Sequence, residues 1–295
     1  MSIKIAHLLL VHKSPKQVAR LTKILVSHPN ATVFIHVDAK LDIIPFTTEL
    51  SGITRVHFIT ERTSINWGGY SMVKATLSLL KRAFDTDGFQ YFNLLSGEDY
   101  LLRPVGDIHR FLTNHMGKSY IEFRMPGDSW WESAQSRFTK YYLTDVNLPG
   151  NFAIGKLTNF LLPTRKPLRH IALVGRSQWM TLYRNHVRFI IEQAISDRKL
   201  IRFFKYSWAP DEFFFQSILY NSPYRDELIN DNLRHIVWEE GKASPKTMTP
   251  QDIPTLMQSG KFFARKFDEA RYPEVLDELD HLRMAQGNKK SASNK

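Results

Sequence analysis

The sequence predicts an α/β protein built on a mostly parallel central sheet. Three observations carry that expectation. Short apolar runs rich in β-branched residues alternate with segments of helical spacing through the first hundred residues. Several of these runs end in polar or acidic residues, where ligands meet the carboxyl edge of an open sheet. The chain has 295 residues, 43% apolar and 13% aromatic, enough to bury a sizeable core.

The first predicted strand is Ile3–Val11, followed by Ser14-Pro15 as an N-cap and first-turn pair. Val18, Leu21, Leu25 and His28 fall at helical spacing, and Pro29-Asn30 stops that helix. Thr32–Val37 and Thr54–Ile59 read as the next two strands, the former ending in Asp38. A Trp67-Gly68-Gly69 turn precedes a helix marked by Val73, Leu77, Leu80 and Phe84. Tyr91–Leu95 is a buried strand ending in Ser96-Gly97-Glu98-Asp99. Residues 126–170 have weak periodicity and many aromatic and basic side chains, as expected of an insertion that shapes specificity. Regularity returns with a helix predicted over Ser177–Ile195, carrying Trp179, Leu182 and Val187. A second begins near Pro210 and runs to Leu219. Leu233–Trp238 is a late strand, Thr249-Pro250 opens a short helix to Gln258, and residues 286–295 read as a basic disordered tail. The expected organisation is one domain over 1–285.

Lys and Arg number 40 against 29 acids, a formal charge of +11 that calls for an anionic partner without choosing one. Basic residues are interspersed with acids and no recognition motif is present, so nucleic acid is not expected. Cysteine is absent, which excludes disulfides, zinc–thiolate sites and a cysteine nucleophile. The apolar run near the N-terminus is too short for a signal-peptide core or a membrane span, and a cytoplasmic setting is expected.

Eleven histidines form no HExxH pattern, and no metal site is expected. The acidic triplet Asp85-Thr86-Asp87 is of the kind that bridges a metal to a diphosphate. It follows a helix and precedes a strand, which puts it at the edge opposite the predicted site and makes it a surface turn. Glu212 sits at a helix start just before Phe213-Phe214-Phe215. Apolar surroundings raise a carboxyl pKa and a helix N-terminus lowers it, so a helix-capping acid and a catalytic one are both consistent with its position. Arg265-Lys266, between Phe263 and Phe267, suits a diphosphate or a solvated strand edge.

Seven blocks in fixed order resemble a known family. They are FIHVDAK (Phe34–Lys40), WGGYS (Trp67–Ser71), YFNLLSGEDYLLRP (Tyr91–Pro104), GRSQWMTLYR (Gly175–Arg184), APDEFFFQSILYNSPY (Ala209–Tyr224), DNLRHIVW (Asp231–Trp238) and FFARKFD (Phe262–Asp268). From Ile5 to about Asp268 the sequence resembles the core-2/I-branching N-acetylglucosaminyltransferase and peptide O-xylosyltransferase family (glycosyltransferase family 14). The later blocks lean toward the xylosyltransferase arm.

The resemblance implies a GT-A-type fold and inverting transfer of xylose or N-acetylglucosamine from a UDP-sugar, with no metal cofactor. It implies Glu212 as catalytic base and donor contacts from Val11, His12, Asp38, Trp67, Arg265 and Lys266. Acceptor contacts are implied for Asp99, Trp130, Glu132, Arg137 and Trp179. Animal members rely on a membrane anchor and cysteines, which this sequence does not show, so it resembles a bacterial relative acting on a surface or lipid-linked glycan. The basic, aromatic stretch Asn151–Arg169 suits either an anionic membrane at the inner face or a packed insertion. The competing readings are a non-catalytic binder of glycan or polyanion and a metal-dependent transferase.

Overall fold

A computed structural model describes residues 3–146, 151–168 and 170–293. The chain begins with β1 (Ile5–Val11), α1 (Pro15–Leu25), β2 (Ala31–Val37), α2 (Ile44–Glu49) and β3 (Val56–Phe58). It continues through α3 (Tyr70–Asp85), β4 (Tyr91–Ser96), β5 (Asp99–Leu101), α4 (Val105–Asn114) and β6 (Ser119–Arg124). Two short helices, α5 (Ser129–Ala134) and α6 (Ser136–Thr139), precede α7 (Asn151–Leu161). Next come β7 (Gly175–Tyr183), α8 (Arg184–Ser196), α9 (Arg198–Lys205), a 3-10 turn at Pro210–Glu212 and α10 (Phe214–Tyr220). The order ends with β8 (Leu228–Ile229), β9 (Arg234–Ile236), α11 (Ile253–Gln258), β10 (Phe263–Arg265) and α12 (Pro273–Ser293).

Seven strands form the central sheet in the order β3-β2-β1-β4-β7-β6-β8, and a smaller sheet has the order β5-β10-β9. The central sheet is mostly parallel; only β7 runs against its two neighbours, β4 and β6. Side chains of β1 alternate between two apolar layers. Ile5, Leu9 and Val11 join the layer containing α1 and α12, while Ala6, Leu8 and Leu10 join the layer containing α3, α8 and α10. Burial on both faces explains why these strands read as unbroken apolar runs. Strand order reverses at β1, whose neighbours are β2 on one side and β4 on the other. That reversal opens a crevice beyond the carboxyl ends of β1 and β4.

The predicted helix over Ser177–Ile195 is instead the strand β7 followed by α8. Met180, Thr181 and Leu182 are wholly enclosed between β4 and β6, so no alternation marks the strand, and the helix-like spacing of Trp179, Leu182 and Val187 spans two elements. Ser14 occupies the N-cap position of α1 in a left-handed conformation (φ 55°), and its side chain makes no capping bond. Residues 126–170 are not all loop, since α5, α6 and α7 lie there; 147–150 and 169 lie outside the described residues. Disorder was expected from 286, yet α12 continues to Ser293, propagated from the turns that Val275, Leu276 and Leu279 bury; 294–295 lie outside the described residues.

One buried cation fastens the small sheet to the large one. Arg234, on β9, donates to the carbonyls of Leu94 (2.6 Å) and Met180 (3.3 Å), to Thr181 Oγ1 (3.3 Å) and to Asn93 Oδ1. Asn93 in turn bonds His7 at 3.0 Å, so β1, β4, β7 and β9 meet at one polar knot. Burial pushes the Arg234 pKa down to about 10, with Asp99 opposing it. Arg234→Met strips donors from several buried acceptors and should cost about 3 kcal/mol in urea unfolding. A loss well under 1 kcal/mol would show that the knot does not hold the sheets together.

Candidate active site

The carboxyl edge of the crevice is basic, and two acids arrange it. The chain leaves β4 through Ser96–Glu98, where Ser96 Oγ accepts from Glu98 N (3.1 Å) and Asp99 Oδ2 accepts from Ser96 N (3.1 Å). Gly97 is needed in this turn because a Cβ there would stand 2.9 Å from Val18 and 3.1 Å from Val11. The turn buries both acidic side chains. Glu98 then holds Lys13 at 2.6 Å and Lys266 at 3.3 Å, while Asp99 holds Arg265 at 3.4 Å. Three cations from the exits of β1 and β10 are thus gathered on two buried carboxylates, and Lys13 also lies 3.9 Å from Asp268. Burial pushes the Asp99 pKa up, and Arg265 and Arg234 pull it back.

The remaining predicted donor residues border this cluster. Val11 is buried, and its carbonyl accepts from Asp38 N at 2.9 Å, so β1 and β2 end level. His12 lies within electrostatic reach of Glu98, Lys13, Lys266 and Asp38; desolvation is the main cause of its lowered pKa. Asp38 Oδ1 accepts from Lys40 N (3.0 Å) and Ile65 N (3.3 Å), which fixes the loop leading to Trp67. Trp67 is 65% exposed and meets Trp208 edge-on at 5.2 Å.

Glu212 lies on a second wall. The 3-10 turn that carries it is anchored by Trp208 N to Arg137 O (2.7 Å) and Ala209 N to Gly68 O (2.8 Å). At Gly175, a Cβ would fall 2.1 Å from the Glu212 carbonyl, so β7 passes where only glycine fits. The Glu212 carboxylate accepts from Arg137 and keeps 24% of its side chain exposed. Its pKa is raised by desolvation, against the lowering effect of Arg137 and then Arg176. Trp130 stacks on Phe213 at 5.5 Å, with Arg137 and Arg176 over its ring at 5.3 and 5.0 Å. The neighbouring Asp211 is buried, and desolvation followed by the charge of Glu212 raises its pKa.

The two walls share β7. Between the partner pairs Ile121–Met180 and Phe123–Arg176, β7 carries three residues where β6 carries one, a bulge that re-aims the strand. Trp179, within it, packs under the Arg265 guanidinium at 4.1 Å. Gly175 touches the Glu212 turn, four residues earlier, so the two contacts are at most about 14 Å apart along the chain. A cation cluster and a half-buried carboxylate with a raised pKa are therefore both held by contacts to one strand, β7.

The predicted residues divide unevenly between the walls. Val11, His12, Asp38, Arg265 and Lys266 converge at the strand exits, and Trp67 stands between the walls beside Trp208. Trp130 and Arg137 surround Glu212. Asp99 and Trp179, expected to contact the acceptor, both pack against Arg265. Glu132 accepts from Gly127 N (2.9 Å) and Gln135, closing its own exposed turn. Asp85 pairs with Lys81 (2.8 Å) and Asp87 with Arg184 (3.2 Å), at the end of α3 away from the strand exits. Lys13, Arg176, Trp208 and Arg234 escaped sequence reasoning. Lys13 had a signal, its place directly after His12 at a strand exit; the others depend on contacts remote in sequence.

Xylosyltransferase 2 of Rattus norvegicus is 28% identical over 304 residues, covering 95% of this chain and 34% of that protein. Xylosyltransferase 2 of Homo sapiens is 28% identical over 306 residues, with coverage of 95% and 34%. Xylosyltransferase 1 of Rattus norvegicus is 25% identical over 306 residues, with coverage of 94% and 35%. The chain thus spans about a third of the length of the curated relatives it matches. Residues 5–258, which contain both the Ser96–Asp99 turn and Glu212, match the Core-2/I-Branching enzyme family, and the chain belongs to that family.

Proposed function

We propose that this glycosyltransferase-family chain moves xylose or N-acetylglucosamine from a UDP-sugar to a glycan hydroxyl, with inversion and without a bound metal. The observation that carries the reading is that β7 contacts both a preformed cation cluster, through Trp179, and the turn bearing a half-buried carboxylate, through Gly175. Lys13, Arg265 and Lys266 suit a diphosphate whose negative charge grows as it departs, and fixed cations stabilise that charge without reorganising. Asp38, Val11 and His12 then border the nucleoside, consistent with a GT-A-type arrangement.

Glu212 serves as the base. It takes the acceptor hydroxyl's proton while that oxygen bonds to the anomeric carbon and the bond to UDP breaks on the opposite face. Desolvation raises its pKa, which makes it a stronger proton acceptor, and Arg137 opposes that rise by favouring the ionised form. Trp130 and Trp67 offer flat apolar faces that suit sugar rings.

Glu212→Gln should lower kcat by about 10³-fold while calorimetry still detects UDP binding. Unchanged transfer would remove Glu212 from the chemistry, and a chain that binds UDP and glycan but releases no UDP with any UDP-sugar would be a binding protein instead. The pH profile gives a second check. Transfer requires ionised Glu212, so its rate should rise with pH along a limb set above the ordinary glutamate value. Arg137 lowers that pKa, so Arg137→Ala should move the limb to higher pH. A limb that stays in place or moves to lower pH would contradict the assignment.

A further inference from the structure

The helix α7 turns its apolar side outward. Ile154, Leu157, Phe160 and Leu161 fall within about a third of the helical circumference, and Leu157, Phe160 and Leu161 are 56%, 85% and 67% exposed. The opposite side is tied down: Asn159 Oδ1 accepts from Tyr141 N (2.7 Å), and its Nδ2 donates to Tyr141 O (2.8 Å). Leu162, also exposed, continues the apolar surface beyond the helix.

Exposed cations flank this helix in the chain. Lys140, Lys156 and Lys166 are exposed around α7. Arg165 bolts the following segment to α9, donating to Tyr206 O (2.7 Å) and Phe203 O and lying over the Phe203 ring at 4.5 Å. Along α9, Arg198, Lys199, Arg202 and Lys205 are exposed and no acid intervenes. The acids nearest in sequence are engaged elsewhere: Asp145 accepts from Ser71 N (2.7 Å), and Asp197 caps α9 through Leu200 N (2.9 Å).

We propose that α7 and α9 together dock on an anionic lipid bilayer, the apolar side of α7 entering the interface and the cations meeting the headgroups. An apolar helix face rimmed by Lys and Arg is the pattern of interfacial binding. A second copy of the chain would bring the same cations face to face, whereas an anionic bilayer neutralises them. The position also matters. Arg165 N donates to Thr139 O at 2.9 Å, and Thr139 lies two residues from Arg137, which holds Glu212. Docking therefore sets the Glu212 side of the crevice beside the membrane; resting on the transferase reading, this suits an acceptor glycan carried on a lipid.

The test is sedimentation of the whole chain with vesicles of phosphatidylcholine alone or with phosphatidylglycerol. Binding to the mixed vesicles is expected, with little binding to phosphatidylcholine and progressive loss as salt is raised. Phe160→Asp with Leu161→Asp, and separately Lys199→Glu with Arg202→Glu, should each weaken binding at least about tenfold. Their circular dichroism should be unchanged, and UDP binding by the same proteins confirms the fold. No vesicle binding by the parent chain, binding by both double variants as tight as the parent's, or a dimer that Phe160→Asp dissociates without any vesicle binding would each overturn the proposal. Glu212→Gln should bind vesicles as the parent does, so failure of docking and failure of the transferase reading are read separately.

Discussion

Two acids buried in one tight turn organise the carboxyl edge of the sheet. Glu98 and Asp99 leave β4 where strand order reverses, and between them they gather Lys13 from β1 and Arg265 and Lys266 from the end of β10. Buried carboxylates require partners, because an unpaired charge there costs several kcal/mol. The cations are therefore drawn into the crevice instead of extending into water. Lys13 also lies 3.9 Å from Asp268, so three cations and three carboxylates meet where an anionic ligand would enter. Arg234 extends the constraint inward, since it fixes the small sheet carrying Arg265 to the strands that line the crevice.

The wall that carries Glu212 depends on a different kind of constraint, close backbone approach. Gly175 admits the Glu212 carbonyl, and Gly69 admits the Asp145 carboxylate, whose Oδ1 would lie 2.3 Å from a Cβ there. Asp145 then binds Ser71 at the start of α3. The Trp208 N to Arg137 O bond and the contacts of Trp130 and Phe138 with Phe213 pack the segment around α5 and α6 onto the turn that bears Glu212. Its aromatic and cationic side chains consequently face the carboxylate.

Much of this was legible in the sequence because it sits at strand ends. Asp38, His12 and the Ser96–Asp99 run follow short apolar strands whose burial on both faces is plain from composition alone. The position of Asp85 and Asp87 away from the crevice followed from the order of helix and strand. What could not be read depends on partners distant in the chain. The bulge in β7 erases the alternation that would mark a strand, and Trp179 and Asp99 turn out to support Arg265 because strands from three regions converge there. Glu212 was ambiguous between a capping acid and a base, as Arg265-Lys266 was between a diphosphate site and a solvated strand edge; the desolvated setting of Glu212 near Phe213 and Trp130 is visible only once folded.

The charge excess also acquires an address. Much of it lies along α7 and α9, remote in sequence from the cations that Glu98, Asp99 and Asp268 pair. The central claim, that fixed cations replace a metal on the nucleotide diphosphate, is tested most directly by calorimetry of UDP and uridine in excess EDTA. The parent chain should bind UDP unaided, and Arg265→Ala with Lys266→Ala should weaken UDP about 100-fold while leaving uridine within about twofold. Equal losses for UDP and uridine, or UDP binding that vanishes in EDTA and returns with Mn²⁺, would contradict it.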